Sequence, residues 1–287
     1  MRRRWPVLAT VIPLVFGWAL VAAYPAAAST GVQGPGGPVQ PGGPLITSSS
    51  GAGAQTGSVT PQTSTTRPQT VPGGRTTVVT SSNWSGYAAT GSAGQFTSVS
   101  SSWVQPTGQC SSGNQYAAFW VGLDGYSSST VEQTGSEVDC AGRTPRYYAW
   151  YEMYPGASED FPNLVRAGDH FSASVSYLGS NKFQLTIMDS TQHWTQSLTQ
   201  TLAGAARSSA EVIAEAPCCT YGGGILPLTN FGTVSFTGAT ANSASLYTFN
   251  PVEITMSDTS VSALTNSGNF NVSYTGSTGF PWPFGGR

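Results

Sequence analysis

The sequence predicts an all-β fold, an antiparallel two-sheet β-sandwich, and three observations carry that expectation. Short runs between Asn83 and Tyr274 alternate apolar and polar residues with a period of two. Gly, Ser, Asn and Pro interrupt those runs at short intervals, as tight turns require. No segment shows the sustained apolar stripe of period 3.6 that marks an amphipathic helix. Many short strands joined by such turns belong to sandwiches and barrels.

Taken in order, the chain opens on Arg2, Arg3 and Arg4, an apolar run from about Trp5 to Ala23, and the small residues Ala26-Ala27-Ala28. That is the pattern of a secretory signal over residues 1–28. Pro13 interrupts the run, and no later stretch is apolar enough to span a bilayer. The mature protein is therefore expected to be secreted and extracellular, with no membrane partner. Residues 29–80 consist largely of Gly, Pro, Ser and Thr, with Arg67 and Arg75 their only charges. Such a composition does not bury enough surface to offset chain entropy and reads as a disordered linker or propeptide. The folded domain is expected over 81–278, followed by a flexible tail, 279–287, that carries Phe280, Trp282 and Phe284.

From Ser81 onward lie all thirteen acids of the chain but only six of its eleven bases, a formal charge of −7. This is the wrong sign for a nucleic-acid binder. The domain is expected to be a monomer. Four cysteines in a secreted chain allow three pairings. Cys110 and Cys140 flank two strand-like runs and are the favoured pair, a closure worth roughly 3 kcal/mol in the chain-entropy model. Cys218 and Cys219 are adjacent, so they either bridge each other or reach separate partners.

Several runs read as strands with faces of unequal chemistry. Phe171, Ala173, Val175 and Tyr177 alternate with His and Ser, Phe183, Leu185 and Ile187 alternate with Gln, Thr and Met, and Gly179-Ser180-Asn181 between the two runs signals a hairpin. In the run 147–155, Tyr148, Trp150, Glu152 and Tyr154 share one face. A carboxylate among aromatic rings is costly to bury without a partner, so this face is either core or cleft wall. Pro217 ends the run 210–217, in which Glu211, Ile213 and Glu215 share a face. Trp120, Gly122 and Asp124 form a third such face, and Gln133 stands among small residues in the next run.

Conventional catalytic machinery is hard to assemble from these residues. No Gly-x-Ser-x-Gly elbow occurs, and His170 and His193 fall at a strand start and near a turn, where surface roles are expected. No spacing of His, Cys and Glu fits a zinc site, so no metal and no cofactor are expected. Carboxylates and amides remain.

Five pieces, in order, resemble the glutamic peptidases, also called eqolisins, a family of secreted acid endopeptidases. They are Ser82-Asn83-Trp84-Ser85-Gly86-Tyr87, Trp120-Val121-Gly122-Leu123-Asp124-Gly125, Glu132-Gln133-Thr134-Gly135, the run 149–155, and the run 209–215. The resemblance implies a sandwich of the lectin-like or jelly-roll type, with a protein or peptide substrate lying across a concave sheet. It implies Gln133 and Glu215 as the catalytic pair, and Trp120, Asp124, Trp150, Glu152, Tyr154 and Glu211 as residues that bind substrate or support the site. Two positions depart from the fungal pattern: Tyr148 replaces an aspartate and Met153 a tryptophan. In such a site Glu215 can take a proton from water and return it to the leaving amine, and the sequence leaves open whether it acts first as base or as acid. Gln133, which does not titrate, holds the water and donates to the oxyanion. Two other readings compete: a glycoside hydrolase using Glu152 and Glu215, and a non-catalytic lectin-like module that stacks a ligand on Trp150 and Tyr154. Gln133 within its motif favours the peptidase.

Overall fold

A computed structural model describes residues 77–217 and 225–276. The expected signal segment, most of the linker, Cys218, Cys219 and the tail aromatics lie outside these residues. Sixteen strands follow in chain order. They are β1 (Val78–Thr80), β2 (Trp84–Thr90), β3 (Ser98–Val104), β4 (Asn114–Leu123), β5 (Val131–Ala141), β6 (Thr144–Tyr154), β7 (Glu159–Asp160) and β8 (His170–Gly179). The second half adds β9 (Lys182–Asp189), β10 (Trp194–Thr201), β11 (Ser209–Glu215), β12 (Thr233–Ala241), β13 (Ala244–Ser245), β14 (Val252–Thr255), β15 (Thr259–Val261) and β16 (Phe270–Tyr274). Among the described residues the helical content is one short 3-10 turn, Leu246–Phe249.

The strands form two sheets, and the predicted all-β sandwich is what the chain adopts. The first runs β1-β14-β2-β11-β4-β5-β6-β7, and the second β10-β9-β8-β3-β12-β16-β15 with β13 beside β12. Every pairing is antiparallel except that of β1 with β14. The predicted hairpin joins β8 to β9, turning on Ser180 and Asn181 at φ of 51° and 58°. Positive φ at both central residues matches the right-handed twist of the flanking strands. The predicted disulfide forms between Cys110 and Cys140, whose Cα atoms stand 5.3 Å apart, and ties the approach to β4 to the end of β5.

The two sheets differ in how they bury their faces. In the second sheet β8 and β9 alternate strictly, so Phe171, Val175, Phe183, Leu185 and Ile187 point inward. These side chains meet Tyr87, Phe119, Val121, Val138 and Val212 of the first sheet and make the main core. The first sheet is buried on its other face as well. There Trp84, Trp120, Trp150, Ile213, Val131 and Ile254 form a separate apolar cluster, so β5 and β11 read as unbroken buried runs. A strand covered on both faces loses the polar-out alternation that marks a half-solvated one. It is this second face that gathers the residues of chemical interest.

Candidate active site

The register of the first sheet sets the residues in rows. Glu211 pairs with Gly122, Gly122 with Gln133, and Gln133 with Glu152. In the next row Ile213, Trp120, Gly135 and Trp150 stand side by side. In the third, Trp84, Glu215, Ala118, Glu137 and Tyr148 follow one another. Strand β4 thus presents a small, a very large and a small residue between the acid-bearing strands. Gly135 is required where it stands, because a Cβ there would meet the carbonyl oxygen of Phe119 at 2.3 Å and Cβ of Trp120 at 2.6 Å. Gly135→Ala is therefore expected to push Trp120 and β4 away from β5 and to cost about 2 kcal/mol or more of stability, the scale of overpacking. Denaturant unfolding checks this, and an unchanged midpoint would refute it.

Trp120 links the two residues singled out as catalytic. Its six-membered ring leans over Gly122, where an added Cβ would lie 2.9 Å from Cζ3 and 3.1 Å from Cβ of Gln133. At its other end the indole Nε1–H donates to Glu215 Oε2 at 2.8 Å. The other oxygen, Oε1, accepts from Asn83 Nδ2 at 3.1 Å. Trp84 packs edge-on against Trp120, with ring centroids 4.8 Å apart, and steadies it. One N–H donor from within β4 and one from just before β2 thus fix both oxygens of Glu215, which is fully buried. On the other side, Gln133 Nε2 donates to Glu152 Oε2 at 2.6 Å. That bond orients the amide and leaves Gln133 Oε1 with no hydrogen-bond partner among the described residues.

Burial makes several of these carboxyls neutral acids under acidic conditions. Desolvation pushes Glu152 up to about 8, against the opposing pull of the Gln133 hydrogen bond. Glu132 is raised to about 8, by burial first and the charge of Asp124 second. Glu211 and Glu137 are raised well above the usual range, again chiefly by burial. Among the described residues, no cluster of three or more His, Cys, Asp and Glu side chains could hold a metal ion. His170 and His193 are exposed, away from this face.

The sequence-predicted residues separate into three groups. Trp120, Gln133, Trp150, Glu152, Glu211 and Glu215 share the face, all of them buried. Tyr154 lies at the rim, half-buried against the tryptophan cluster. Asp124 is a strut. It sits at φ 69° just beyond β4 and accepts from the backbone N–H of Arg207 at 2.5 Å and of Ser208 at 2.9 Å, bracing the chain that enters β11. Two residues escaped the sequence reading. Asn83 belongs to the first family-like motif, but its bond to Glu215 spans 132 residues of sequence. Glu137 carries the same parity as Gln133 on β5, a signal that was present in the spacing.

This β-sandwich gathers carboxyl and amide groups beside tryptophans on one face of its first sheet. The chain belongs to the Peptidase A4 family, which it matches over residues 82–279. It is similar to aspergillopepsin-2 of Aspergillus niger, with 31% identity over 149 residues, 50% of this chain and 51% of that protein. It is also similar to scytalidopepsin B of Scytalidium lignicola, with 34% identity over 141 residues, 47% of this chain and 51% of that one. These matches span about half the length of each relative. Among solved structures, scytalido-glutamic peptidase with a transition state analog inhibitor superposes with a TM-score of 0.59 at 26% identity, covering 67% of this chain and 98% of that one. SCP-B, an eqolisin in complex with the tripeptide Ala-Ile-His, gives 0.57 at 25% identity over the same shares. The resemblance read from the five motifs is thereby borne out at the level of family and fold.

Proposed function

We propose that this chain is a secreted acid endopeptidase in which Gln133 and Glu215 hydrolyse peptide bonds through an activated water. The observation that carries this reading is the complementary anchoring of the two side chains on one sheet face. Trp120 and Asn83 hold both oxygens of Glu215, while Glu152 holds one end of the Gln133 amide and leaves its carbonyl oxygen without a partner among the described residues. Water accepted between Gln133 Oε1 and Glu215 loses a proton to Glu215 as its oxygen attacks the substrate carbonyl carbon. A Gln133 N–H donates to the resulting oxyanion, a contribution of about 3 kcal/mol for one such donor. Glu215 then returns the proton to the amide nitrogen, the C–N bond breaks, and a carboxylic acid and an amine leave. Solved relatives bound to a peptide-based transition state analog and to a tripeptide support peptide as the substrate class.

Secretion is supported by the N-terminal pattern of residues 1–28 and by the Cys110–Cys140 bridge, since disulfides persist in oxidising compartments. On this reading 29–80 is a spacer or propeptide, 81–278 the catalytic domain, 279–287 a tail, and the working form a monomer without cofactor. The test is incubation of the secreted protein with denatured casein and with a panel of polysaccharides between about pH 2 and 6, the range of carboxylate titration. Peptide cleavage that resists chelators and serine reagents is expected. Polysaccharide hydrolysis without proteolysis would overturn the reading.

A further inference from the structure

Glu137 is one of the buried carboxyls that the proposed chemistry leaves unused. It is 1% exposed, and its Oε1 has no hydrogen-bond partner among the described residues. In the third row of the sheet it pairs with Ala118, which pairs with Glu215. At roughly 4.8 Å per strand, the two glutamate Cα atoms stand about 10 Å apart with a single methyl between them. Two glutamate side chains leaning over that methyl come within each other's field, and Glu215 is among the charges that act on Glu137. We propose that Glu137 is a positioning residue that acts on Glu215 across Ala118 and, through its pairing with Asp139, sets the upper pH limit of the activity. This rests on Glu215 being the acid–base of the reaction.

The groups around Glu137 decide which carboxyl holds the proton. On its own strand is Asp139; on β4 are Tyr116, opposite Asp139, and Ala118; on β6 are Tyr148, opposite Glu137, and Arg146, opposite Asp139; on β7 is Asp160; on β11 is Glu215. Burial raises Asp139 above the usual carboxylate range, against the opposing pull of its hydrogen bond with Glu137 and of Arg146, the cation of the set. Burial first, and the charge of Asp139 next, favour the protonated form of Glu137. In acid Glu137 therefore holds a proton, and a neutral group stands across Ala118 from Glu215. As pH rises that proton leaves, and a further negative charge stands beside Glu215. Like charges at this range repel strongly in a dry site. The added charge repels the charged Glu215 and loosens it from its Trp120 and Asn83 donors, so the rate falls.

The test is the pH profile of kcat/KM on a peptide substrate, with thermal unfolding followed at each pH. Glu137→Gln fixes the neutral form in the same shape. It is expected to keep the acid-side rate within about threefold and to move the upper limb at least about one pH unit higher. Asp139→Asn removes the charge that holds the proton on Glu137 and is expected to move the same limb lower. Opposite shifts cannot come from loss of packing, which lowers the rate at every pH alike. Should Glu137→Gln fail to fold, the sign of the Asp139→Asn shift still decides. The proposal is overturned if neither limb moves, if both move in one direction, or if the wild-type limb coincides with unfolding. Those outcomes leave the Gln133–Glu215 reading standing, whereas full activity in Glu215→Gln removes that reading itself.

Discussion

Glu215→Gln leaves the chain folded and lowers turnover at least about a thousandfold, the upper part of the range for loss of positioned acid–base catalysis. The substitution preserves shape but removes the proton carrier that both halves of the proposed reaction use. It also has a small structural cost that can be anticipated. Both Glu215 oxygens accept N–H donors, from Asn83 and Trp120. A glutamine has one acceptor oxygen, so its NH2 must oppose one of those donors, at about 1–2 kcal/mol. Gln133→Ala is expected to act differently. It removes the oxyanion donor and the water's acceptor, lowering kcat by about two to three orders of magnitude with KM little changed. Initial rates on a quenched peptide, with circular dichroism as the folding control, check both. Wild-type proteolysis by folded Glu215→Gln would sink the proposed mechanism.

Stability is expected to be greatest in acid and to fall steadily as pH rises toward 8. The sign follows from the direction of the carboxyl shifts. Glu132 and Glu152 are both raised by burial to about 8, while an unfolded glutamate titrates near about 4.3. Below the unfolded value both states are protonated and the contribution is fully present. Between the two values the unfolded chain releases a proton that the folded chain retains, and stability falls by about 1.4 kcal/mol per pH unit for each such group. The contribution is lost once pH passes the folded value. Glu137 and Glu211, raised in the same direction, add to the slope. With net stabilities of about 5–15 kcal/mol typical of a domain, a few such groups narrow the margin of stability as pH nears the folded value. Calorimetry from about pH 3 to 8 is the measurement. Glu132→Gln, which removes one titrating group with both oxygens unpartnered among the described residues, should flatten the curve. A melting temperature that peaks at neutral pH would contradict the account.

What the sequence determined by itself was the all-β class, the β8–β9 hairpin, the Cys110–Cys140 pair and the family, together with the parity of each candidate residue along its strand. Period two is a local property: once 133 and 137, or 211 and 215, lie in one strand, they share a face whatever the rest of the chain does. The half-solvated strands were legible for the same reason, since water on one face writes polar residues at every second position. Strands β5 and β11 were less so, because burial on both faces erases that record. Which faces meet was decided by the tertiary structure alone. The order β2-β11-β4 joins segments far apart in the chain, and nothing local in a strand names its neighbour. The bond of Asn83 to Glu215, the bracing of Arg207 and Ser208 by Asp124, and the Ala118 gap through which Glu137 faces Glu215 all depend on that pairing and its register. Register is a cooperative outcome of packing across the whole sheet, where one residue of slip would turn every side chain to the opposite face.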